Sequence, residues 1–530
     1  MTTDHQTRIC VPVCVRRADE LRAAMARAAA FGDMIELRLD CLADEAQLEA
    51  ATRELPALFI ERTRAFILTF RPPEQGGGKS ASDMARRIRF WTENFSPGHE
   101  RADFADLELD LAARLKERED AGGRQLIDWN RVICSHHDFE GVPHDLDKIF
   151  ARLFATPARI LKLALRARDI TDTLALLHLL ERARSAGREM IAVAMGEAGS
   201  LTRILAPARG AFLTYGALTR EDATAPGQIE AKNLRDLYRV RAIDGQTQIT
   251  GLIGSPVAHS FSPAMHNAAF AARGLNAVYL PFEVRDAGAF IRRMAHPRTR
   301  ELVWPLRGLS VTAPHKSAIM PQLDFIEASA REIGAVNTIV VEGNTLSGFN
   351  TDAAAALAPL VKLIELRGAR VAVLGAGGAA RALLWSLREA GARVIVYARN
   401  EERARAMGEK FGAQARTLEG AQFDNFDLVI NATPLGTRGD NEIETPACAD
   451  QLRGARAAYD LVYNPDETRF MREARVAGCE IVLGGLPMLV AQAAAQFKLW
   501  TGEDAPLEAM RAAAAQQRLE SQRELFSTNL

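Results

Sequence analysis

The strongest constraint on the fold is a regular alternation of short apolar segments and helix-like segments across residues 1–240. Each apolar or β-branched run is followed by a stretch rich in Ala, Leu and Arg with helical periodicity. Eight such repeats predict a (β/α)8 barrel. An open doubly wound sheet is the alternative, but eight strands without a break favour closure. The expected strands span 8–15, 34–40, 66–71, 104–109, 131–139, 158–167, 190–196 and 212–218.

The pattern resets after residue 240, where a turn signal at 244–246 precedes a new strand near 249–253. A chain of 530 residues is too long for one hydrophobic core. The polar, helix-forming stretch at 511–530 is expected to be an extra helix or a frayed tail without catalytic role. We therefore expect a barrel in 1–240, a second α/β lobe in 249–352, a lobe built on a Gly-rich turn in 353–480, and returning helices with the tail in 481–530.

Composition excludes several functional classes. With 66 basic and 67 acidic residues, the net charge of −1 argues against a nucleic-acid-binding protein. The six cysteines contain no zinc-like Cys-x-x-Cys pair, so we expect reduced thiols in a cytoplasmic protein and no metal site. No apolar leader opens the sequence, and no apolar run approaches the ~20 residues of a membrane span.

A lysine lies inside the sixth apolar strand, at Lys162. A lone lysine there is most often a snorkelling side chain or an ion-pair partner. The alternative is a desolvated, nucleophilic amine that forms a Schiff base. His136 or His137 on the preceding strand supplies a general base, and arginines on other strands can hold a carboxylate. Because barrel active sites lie at the C-terminal ends of the strands, this set indicates carbanion chemistry beside a ketone on an anionic substrate.

The first half resembles type I 3-dehydroquinate dehydratase over roughly residues 8–240. The pieces that carry the resemblance, in the family's order, are 36–40, 69–71, 137–139, 160–164 and 225–228. The resemblance implies that Lys162 forms an imine with the ring ketone and that His137 moves the protons. It also implies substrate contacts from Glu36, Arg38, Arg71, Arg203, Thr224 and Gln228.

Two positions depart from the family pattern. Gln75 precedes Gly76 and Gly77 where some members carry Glu, so a hydrogen bond is kept while acid assistance is weakened. Thr224 stands where Ser is familiar, which keeps the hydroxyl.

A buried strand at 371–374 leads into a Gly-rich turn and a helix, the arrangement of a dinucleotide-binding site. Gly375 permits the tight turn, and Gly377 lets the backbone approach a pyrophosphate. Arg399 stands where an NAD site usually has an acidic residue, and Arg403 lies one turn on. Two guanidinium groups suit a 2′-phosphate and predict NADP, whereas the alternative is a solvated basic helix start. The expected cofactor contacts are Gly375, Ala376, Gly377, Gly378, Ala379, Arg399, Asn400 and Arg403.

The second half resembles shikimate dehydrogenase over roughly residues 249–505. The pieces recur in order at 260–263, 310–316, 335–338, 348–352, 375–379, 431–434, 459–463 and 489–492. The resemblance implies that Lys316 and Asp352 handle the proton on the C3 oxygen, and that Thr433 and Gly485 contact NADPH. It assigns substrate binding to the 249–352 lobe. Ser260 and Ser262 would bind the carboxylate, and the ring hydroxyls would contact Thr312, Asn337, Tyr463 and Gln492.

The order of the halves matches two consecutive reactions, so the chain resembles the bifunctional dehydratase–shikimate dehydrogenase of aromatic amino acid biosynthesis. Its partners would then be small molecules, with the chain a monomer or weak homo-oligomer. One rival is a quinate-preferring dehydrogenase, although Ser260 and Ser262 together favour shikimate. The other is a ligand-sensing regulator that keeps both folds. Retention of Lys162, His137 and Lys316 speaks against a sensor, which needs no imine-forming lysine.

Overall fold

The computed structural model describes residues 7–99 and 101–528. The chain divides into two compact units. Unit 1 comprises Met1–Thr247, Leu280–Met294 and Glu301–Pro305, and unit 2 comprises Gln248–Tyr279, Ala295–Arg300 and Leu306–Leu530. Two of the sequence expectations fall partly on other residues. The expected absence of an apolar leader concerns mainly residues 1–6, and the last two residues of the expected tail are 529 and 530. These positions lie outside the described residues.

Unit 1 contains an eight-stranded sheet in which all strand pairs are parallel. Its strands are β1 (Ile9–Val13), β2 (Met34–Arg38), β3 (Ala65–Thr69), β4 (Phe104–Glu108), β5 (Val132–Asp138), β6 (Ile160–Arg166), β7 (Glu189–Met195) and β8 (Thr214–Tyr215). They are neighbours in the order β7-β6-β5-β4-β3-β2-β1-β8. The Phe212 amide donates to the Met190 carbonyl at 2.8 Å across the remaining side. The predicted barrel is confirmed, and the open sheet is not formed.

Helices follow the first seven strands, and a π-helix at Asn233–Leu237 follows the eighth. Capping side chains fix where several begin: Asp44 accepts from the Gln47 amide, and Asp83 accepts from the Arg86 amide. The helices are α1 (Leu21–Ala29), α2 (Glu45–Glu61), α3 (Met84–Asn94), α4 (Leu109–Gly122), α5 (Leu146–Phe154), α6 (Thr173–Ser185) and α7 (Ser200–Leu205).

The chain after residue 247 first forms a six-stranded mixed sheet. Its strands are β9 (Gln248–Gly254), β10 (Ala277–Glu283), β11 (Leu306–Val311), β12 (Phe325–Ile326), β13 (Thr338–Glu342) and β14 (Thr345–Phe349). The order is β10-β9-β11-β13-β14-β12, with β13 antiparallel to both β11 and β14. The helices of this region are α8 (Ser262–Ala272), α9 (Ala287–Phe290), α10 (Ala328–Ile333) and α11 (Asp352–Leu357).

A second six-stranded sheet, entirely parallel, follows in unit 2. Its strands are β15 (Arg370–Leu374), β16 (Arg393–Ala398), β17 (Gln414–Thr417), β18 (Leu428–Asn431), β19 (Ala457–Asp460) and β20 (Ile481–Leu483). The order β17-β16-β15-β18-β19-β20 is that of a dinucleotide-binding fold, whose ligand crevice lies where the order reverses, between β15 and β18. The predicted Rossmann lobe is confirmed.

Helices cover this sheet and return to the preceding lobe. They are α12 (Gly378–Glu389), α13 (Glu401–Phe411), α14 (Ala449–Leu452), α15 (Arg469–Val476), α16 (Leu486–Thr501) and α17 (Leu507–Thr528). The polar C-terminal stretch therefore forms a helix rather than a frayed tail. It is held because Met510 and Ala514 are buried in one apolar cluster with Phe270 and Phe497.

Two cysteines depart from the sequence expectation. Cys14 and Cys41 form a disulfide, so the expectation of reduced thiols is wrong for this pair. They meet because β1 and β2 are paired neighbours and each cysteine lies shortly after the end of its strand. Cys10, Cys134, Cys448 and Cys479 are free thiols.

Candidate active sites

The strand register places a row of polar side chains on one face of the barrel sheet. Arg38 pairs with Thr69, and Thr69 pairs with Asp106, so the three side chains share a face. Glu108, two residues beyond Asp106, pairs with Ser135, and Ser135 pairs with Lys162, so these side chains lie on the same face in the next row towards the C-terminal ends of the strands. Sequence periodicity left this face as lumen or shell, and the register shows that it is the lumen. The apolar side chains on this face include Cys10, Met34, Ile67, Ile133, Ile160, Ile191 and Tyr215.

Lys162 is 3% exposed and lies among carboxylates. Its Nζ donates to Asp106 Oδ2 at 2.7 Å and to Tyr215 Oη at 3.0 Å, and lies 3.7 Å from Glu36 Oε1. Arg71 donates to the same Asp106 oxygen at 2.6 Å. Burial raises the pKa of Asp106, but the positive charges of Lys162 and Arg71 outweigh it and lower that pKa to about 2. Asp106 is therefore an ionised counter-charge shared by two cations.

His137 lies on the lumen face of β5, two residues beyond Ser135, and is buried, whereas the adjacent His136 points to the opposite face. Its backbone amide donates to Gln75 Oε1 at 2.8 Å, which ties the loop after β3 to this histidine. Burial lowers the pKa of His137 well below its usual range, and the nearby Arg71 and Lys162 add to this effect. A neutral imidazole is the form required of a general base.

The three predicted substrate arginines differ in what they contact. Arg38 forms a two-point ion pair with Asp40 at 3.0 and 2.6 Å. Arg71 contacts Asp106 as described. Arg203 is completely buried, and it donates to the Pro226 carbonyl at 3.2 Å. Its Nε has no hydrogen-bond partner within the described residues, and burial lowers its pKa to about 10. An uncompensated buried guanidinium favours Arg203 as the anion-binding group.

The turn after β8 brings the remaining predicted residues of the barrel site together. Thr224 donates to Gln228 Oε1 from its amide at 2.9 Å and from its hydroxyl at 3.4 Å. The Gly196 amide donates to Pro226, and a Cβ on Gly227 would lie 2.3 Å from the Gly196 carbonyl carbon. Since the Pro226 carbonyl also accepts from Arg203, the turn lies directly against that guanidinium.

Sequence analysis missed three groups in this site: Asp106, Glu108 and Tyr215. Asp106 and Glu108 alternate along β4 with the same period of two that identified Glu36 and Arg38, so that signal was available. Burial raises the pKa of Glu108 to about 8 even though Arg71 and Arg87 lie within ion-pair distance. Nothing in the sequence around Tyr215 showed that its hydroxyl would reach Lys162.

Lys316 and Asp352, the predicted catalytic pair of the second half, form an ion pair at 2.6 Å. Asn337 donates to the second Asp352 oxygen at 2.8 Å and to Thr351 Oγ1 at 2.9 Å. Lys316 follows β11, Asn337 precedes β13 and Asp352 begins α11, so three elements fix the pair. Both Asp352 oxygens are therefore occupied, one by Lys316 and the other by Asn337.

The other predicted ring-binding residues surround the start of α8 and α16. Ser262 is buried, and its amide donates to Ser260 Oγ at 3.2 Å. Tyr463 is in hydrogen-bond contact with Ser260, and its ring lies 5.3 Å from that of Phe261. Thr312 directly follows β11, and its amide donates to the Ile253 carbonyl. Gln492 Nε2 donates to the Leu489 carbonyl at 3.1 Å.

Sequence analysis also missed a buried hydrogen-bond chain behind these residues. Tyr279 donates to Ser310 and Ser310 donates to Gln496, each at 2.8 Å. Gln496 in turn donates to Thr338 Oγ1 at 3.1 Å. The chain links β10, β11, α16 and β13, and so rigidifies the floor of the lobe.

The Gly-rich turn fits a dinucleotide. Gly375 has φ of +121°, and a Cβ there would lie 2.9 Å from the Ala432 carbonyl oxygen. Gly377 precedes α12, and the space around its Cβ position is open, so a pyrophosphate can reach the helix N-terminus. A Cβ on Gly378 would lie 3.2 Å from Lys316 Cδ, which places the ion-paired lysine beside this turn.

The remaining residues predicted to bind the cofactor differ in their exposure and in their contacts. Arg399 and Arg403 are exposed where β16 passes into α13, and Asn400 caps that helix by accepting from the Arg403 amide. The Thr433 hydroxyl donates to Asn431 at 2.7 Å. A Cβ on Gly485 would lie 2.2 Å from the Leu461 carbonyl oxygen, so packing alone requires glycine there.

Metal-binding clusters and membrane-spanning helices are both absent from the described residues. Among residues 7–99 and 101–528, His, Cys, Asp and Glu side chains form no group of three suited to a metal ion. Over the same part of the chain, no helix combines the length and apolar character that a bilayer crossing requires.

The fold and the two sites define a two-unit enzyme: a barrel with a buried lysine joined to an NADP-type oxidoreductase. Comparison with protein families agrees with this class. Residues 9–245 match Type I 3-dehydroquinase, and residues 252–339 match the Shikimate dehydrogenase substrate binding domain. Residues 358–438 match Shikimate / quinate 5-dehydrogenase, and residues 485–515 match the Shikimate 5'-dehydrogenase C-terminal domain.

Individual relatives cover either the whole chain or its second half. The bifunctional 3-dehydroquinate dehydratase/shikimate dehydrogenase, chloroplastic, of Arabidopsis thaliana is 33% identical over 94% of this chain and 83% of its own length. Shikimate dehydrogenase (NADP(+)) of Methanopyrus kandleri is 44% identical over 51% of this chain and 96% of its own. A Thermus thermophilus shikimate 5-dehydrogenase solved with NADP(H) and shikimate is 39% identical, with a TM-score of 0.45, over 51% of this chain and 99% of that one. The chain belongs to the family of bifunctional 3-dehydroquinate dehydratase/shikimate dehydrogenases.

The protonation state of His137 is a direct test of the barrel site. Because burial and two cations lower its pKa, His137 should stay neutral at pH 6.5, where an ordinary histidine is half protonated. Protonation should appear only as the pH falls further. Histidine-labelled NMR measures this, with the His137→Gln variant assigning the resonance. A midpoint at or above pH 6.5 would contradict the site as described.

Proposed function

We propose that the barrel dehydrates 3-dehydroquinate to 3-dehydroshikimate through an imine on Lys162, and that unit 2 reduces this product to shikimate with NADPH. The observation that carries the proposal is the buried Lys162 Nζ, 2.7 Å from Asp106 and on the same lumen face as the neutral His137. The two steps are consecutive reactions of the shikimate pathway, which leads to chorismate and the aromatic amino acids.

In the dehydratase, Lys162 attacks the ring ketone as a neutral amine, and loss of water gives an iminium that withdraws electrons from the adjacent carbon. His137 removes a proton from that carbon and then protonates the departing hydroxyl. Arg203 binds the substrate carboxylate, with Thr224 and Gln228 beside it. Glu36, Arg38 and Arg71 complete the polar wall that faces the ring hydroxyls.

In the reductase, Lys316 donates a proton to the C3 oxygen of the substrate while Asp352 orients the ammonium group. NADPH, when bound, supplies the hydride. Ser260 and Ser262 bind the carboxylate, and the ring hydroxyls contact Thr312, Asn337, Tyr463 and Gln492. The cofactor is held by Gly375, Ala376, Gly377, Gly378, Ala379, Arg399, Asn400, Arg403 and Thr433, with Gly485 supporting the nicotinamide end through its close packing on Leu461.

Shikimate rather than quinate is the preferred alcohol in this proposal. The Ser262 amide donates to Ser260 Oγ, so the two serines form one compact pair at the start of α8. Loss of either hydroxyl would make room for the additional hydroxyl of quinate. Both are present here, which supports a pocket that fits the smaller product.

We also propose that the chain is a monomer or weak homo-oligomer, that it binds no nucleic acid and that it works in the cytoplasm. The balanced charge supports the absence of nucleic-acid binding. Four free thiols support a reducing compartment, whereas the Cys14–Cys41 disulfide opposes it, since disulfides are rare in the cytosol.

Replacing the imine-forming lysine should separate the two activities. Lys162→Ala should abolish dehydration, because no other group supplies the electron sink, and should leave reduction of added 3-dehydroshikimate intact. Borohydride with 3-dehydroquinate should attach substrate to wild-type Lys162 alone. Lys148→Ala, an exposed lysine of the same barrel, is the matched control. Loss of both activities in folded Lys162→Ala would contradict independent sites.

Arg399 should decide between the two nicotinamide cofactors. Arg399→Ala should raise KM for NADPH by about tenfold or more, since a lost contact to a charged group costs about 1.5–3 kcal/mol, and should leave KM for NADH nearly unchanged. Steady-state kinetics with both cofactors measures this. Arg405→Ala is the control, because Arg405 is an exposed arginine of the adjoining helix α13 that pairs with Glu401. Equal effects on both cofactors would rule out the 2′-phosphate contact.

A further inference from the structure

Tyr215 has no role in the function proposed so far. It is the last residue of β8, and it is buried in the lumen, with its hydroxyl 3.0 Å from Lys162 Nζ. The Lys162 Nζ also lies 4.5 Å from the centre of the tyrosine ring. The hydroxyl therefore touches the atom that forms the imine.

Neighbouring contacts hold this tyrosine in place. Tyr215 pairs with Cys10 of β1, and the Gly216 amide donates to the Cys10 carbonyl. The preceding residue, Thr214, donates from its hydroxyl to the Arg203 carbonyl at 2.7 Å. A side chain fixed at the end of a strand is suited to a directed proton transfer.

Within the described part of the chain, Lys162 Nζ hydrogen-bonds the side chains of Asp106 and Tyr215, and of these two only Tyr215 carries a proton. Asp106 is ionised, so it accepts hydrogen bonds and has none to give. Burial raises the pKa of Tyr215 well above its usual range, so the phenol keeps its proton. Because Tyr215 accepts a bond from Nζ, its own hydrogen remains available for a second oxygen.

We propose, on the basis of the imine function assigned to Lys162, that Tyr215 is a catalytic proton relay for imine formation. Lys162 Nζ, an ammonium beside Asp106 at rest, first loses one proton, for which the neutral His137 is the available base. Attack of the resulting amine on the ketone gives an adduct with a positively charged nitrogen and an alkoxide oxygen. The phenol gives its proton to the alkoxide and takes one from the nitrogen in the same step. A neutral carbinolamine forms, and the phenol ends unchanged, so no phenolate is required.

Trapping kinetics test the relay directly. Tyr215→Phe should slow borohydride-trapped attachment of 3-dehydroquinate at Lys162 by about 100-fold, the lower end of what a positioned proton donor contributes. Tyr238→Phe, the same change at another buried barrel tyrosine, should trap at the wild-type rate. Reduction of added 3-dehydroshikimate should be unchanged in both variants, which shows that unit 2 is intact, and an unchanged far-UV circular dichroism spectrum reports on folding of the barrel.

An isotope measurement separates a relay from a merely structural side chain. With substrate deuterated at the carbon next to the ketone, the isotope effect on kcat should fall towards one in Tyr215→Phe. The reason is that imine formation, which breaks no C–H bond, becomes limiting. A wild-type trapping rate, an unchanged isotope effect, or equal losses in Tyr238→Phe would each overturn the relay alone. Absence of any trapped adduct in the wild-type protein would overturn both the relay and the imine on Lys162.

Discussion

The barrel depends on a balance of charge among buried side chains in its lumen. Lys162, Arg71, Asp106 and Glu36 lie within ion-pair distance of one another in the lumen. Removing one partner from such a set costs about 3–5 kcal/mol, because the remaining charge is left uncompensated. Asp106 is the centre of the set, since both cations reach the same oxygen. A lysine can be kept in the lumen for chemistry only because this carboxylate accompanies it.

The reductase also pairs its lysine with a carboxylate, but the pair is less deeply buried than the one in the barrel. Lys316 is paired with Asp352, and Asn337 occupies the second oxygen of that carboxylate. The pair differs from the barrel pair in its setting, because Lys316 packs against Gly378 at the start of the dinucleotide helix. In the barrel the carboxylate balances the charge of the buried lysine that is proposed to form the imine, whereas here it orients the lysine that is proposed to donate a proton beside the cofactor site.

Much of this architecture is readable in the sequence, and the reason is periodicity. Alternating apolar runs predicted the barrel, and the Gly375 turn between two strands predicted the Rossmann lobe. Contacts between residues that are distant in sequence could not be predicted in this way. Asp106 and Tyr215 come from β4 and β8, which are distant from Lys162 in sequence, and only the strand register brings them to its amine. The Cys14–Cys41 disulfide was missed for the same reason, since it depends on the pairing of β1 with β2.

The most direct test of the account is one assay with both reactions followed together. Purified protein receives 3-dehydroquinate and NADPH, and enone absorbance and NADPH loss are recorded in the same cuvette. The account predicts that NADPH falls only after 3-dehydroquinate is added and that shikimate accumulates. Enone that accumulates at constant NADPH, or silence in both signals from folded protein, would contradict it.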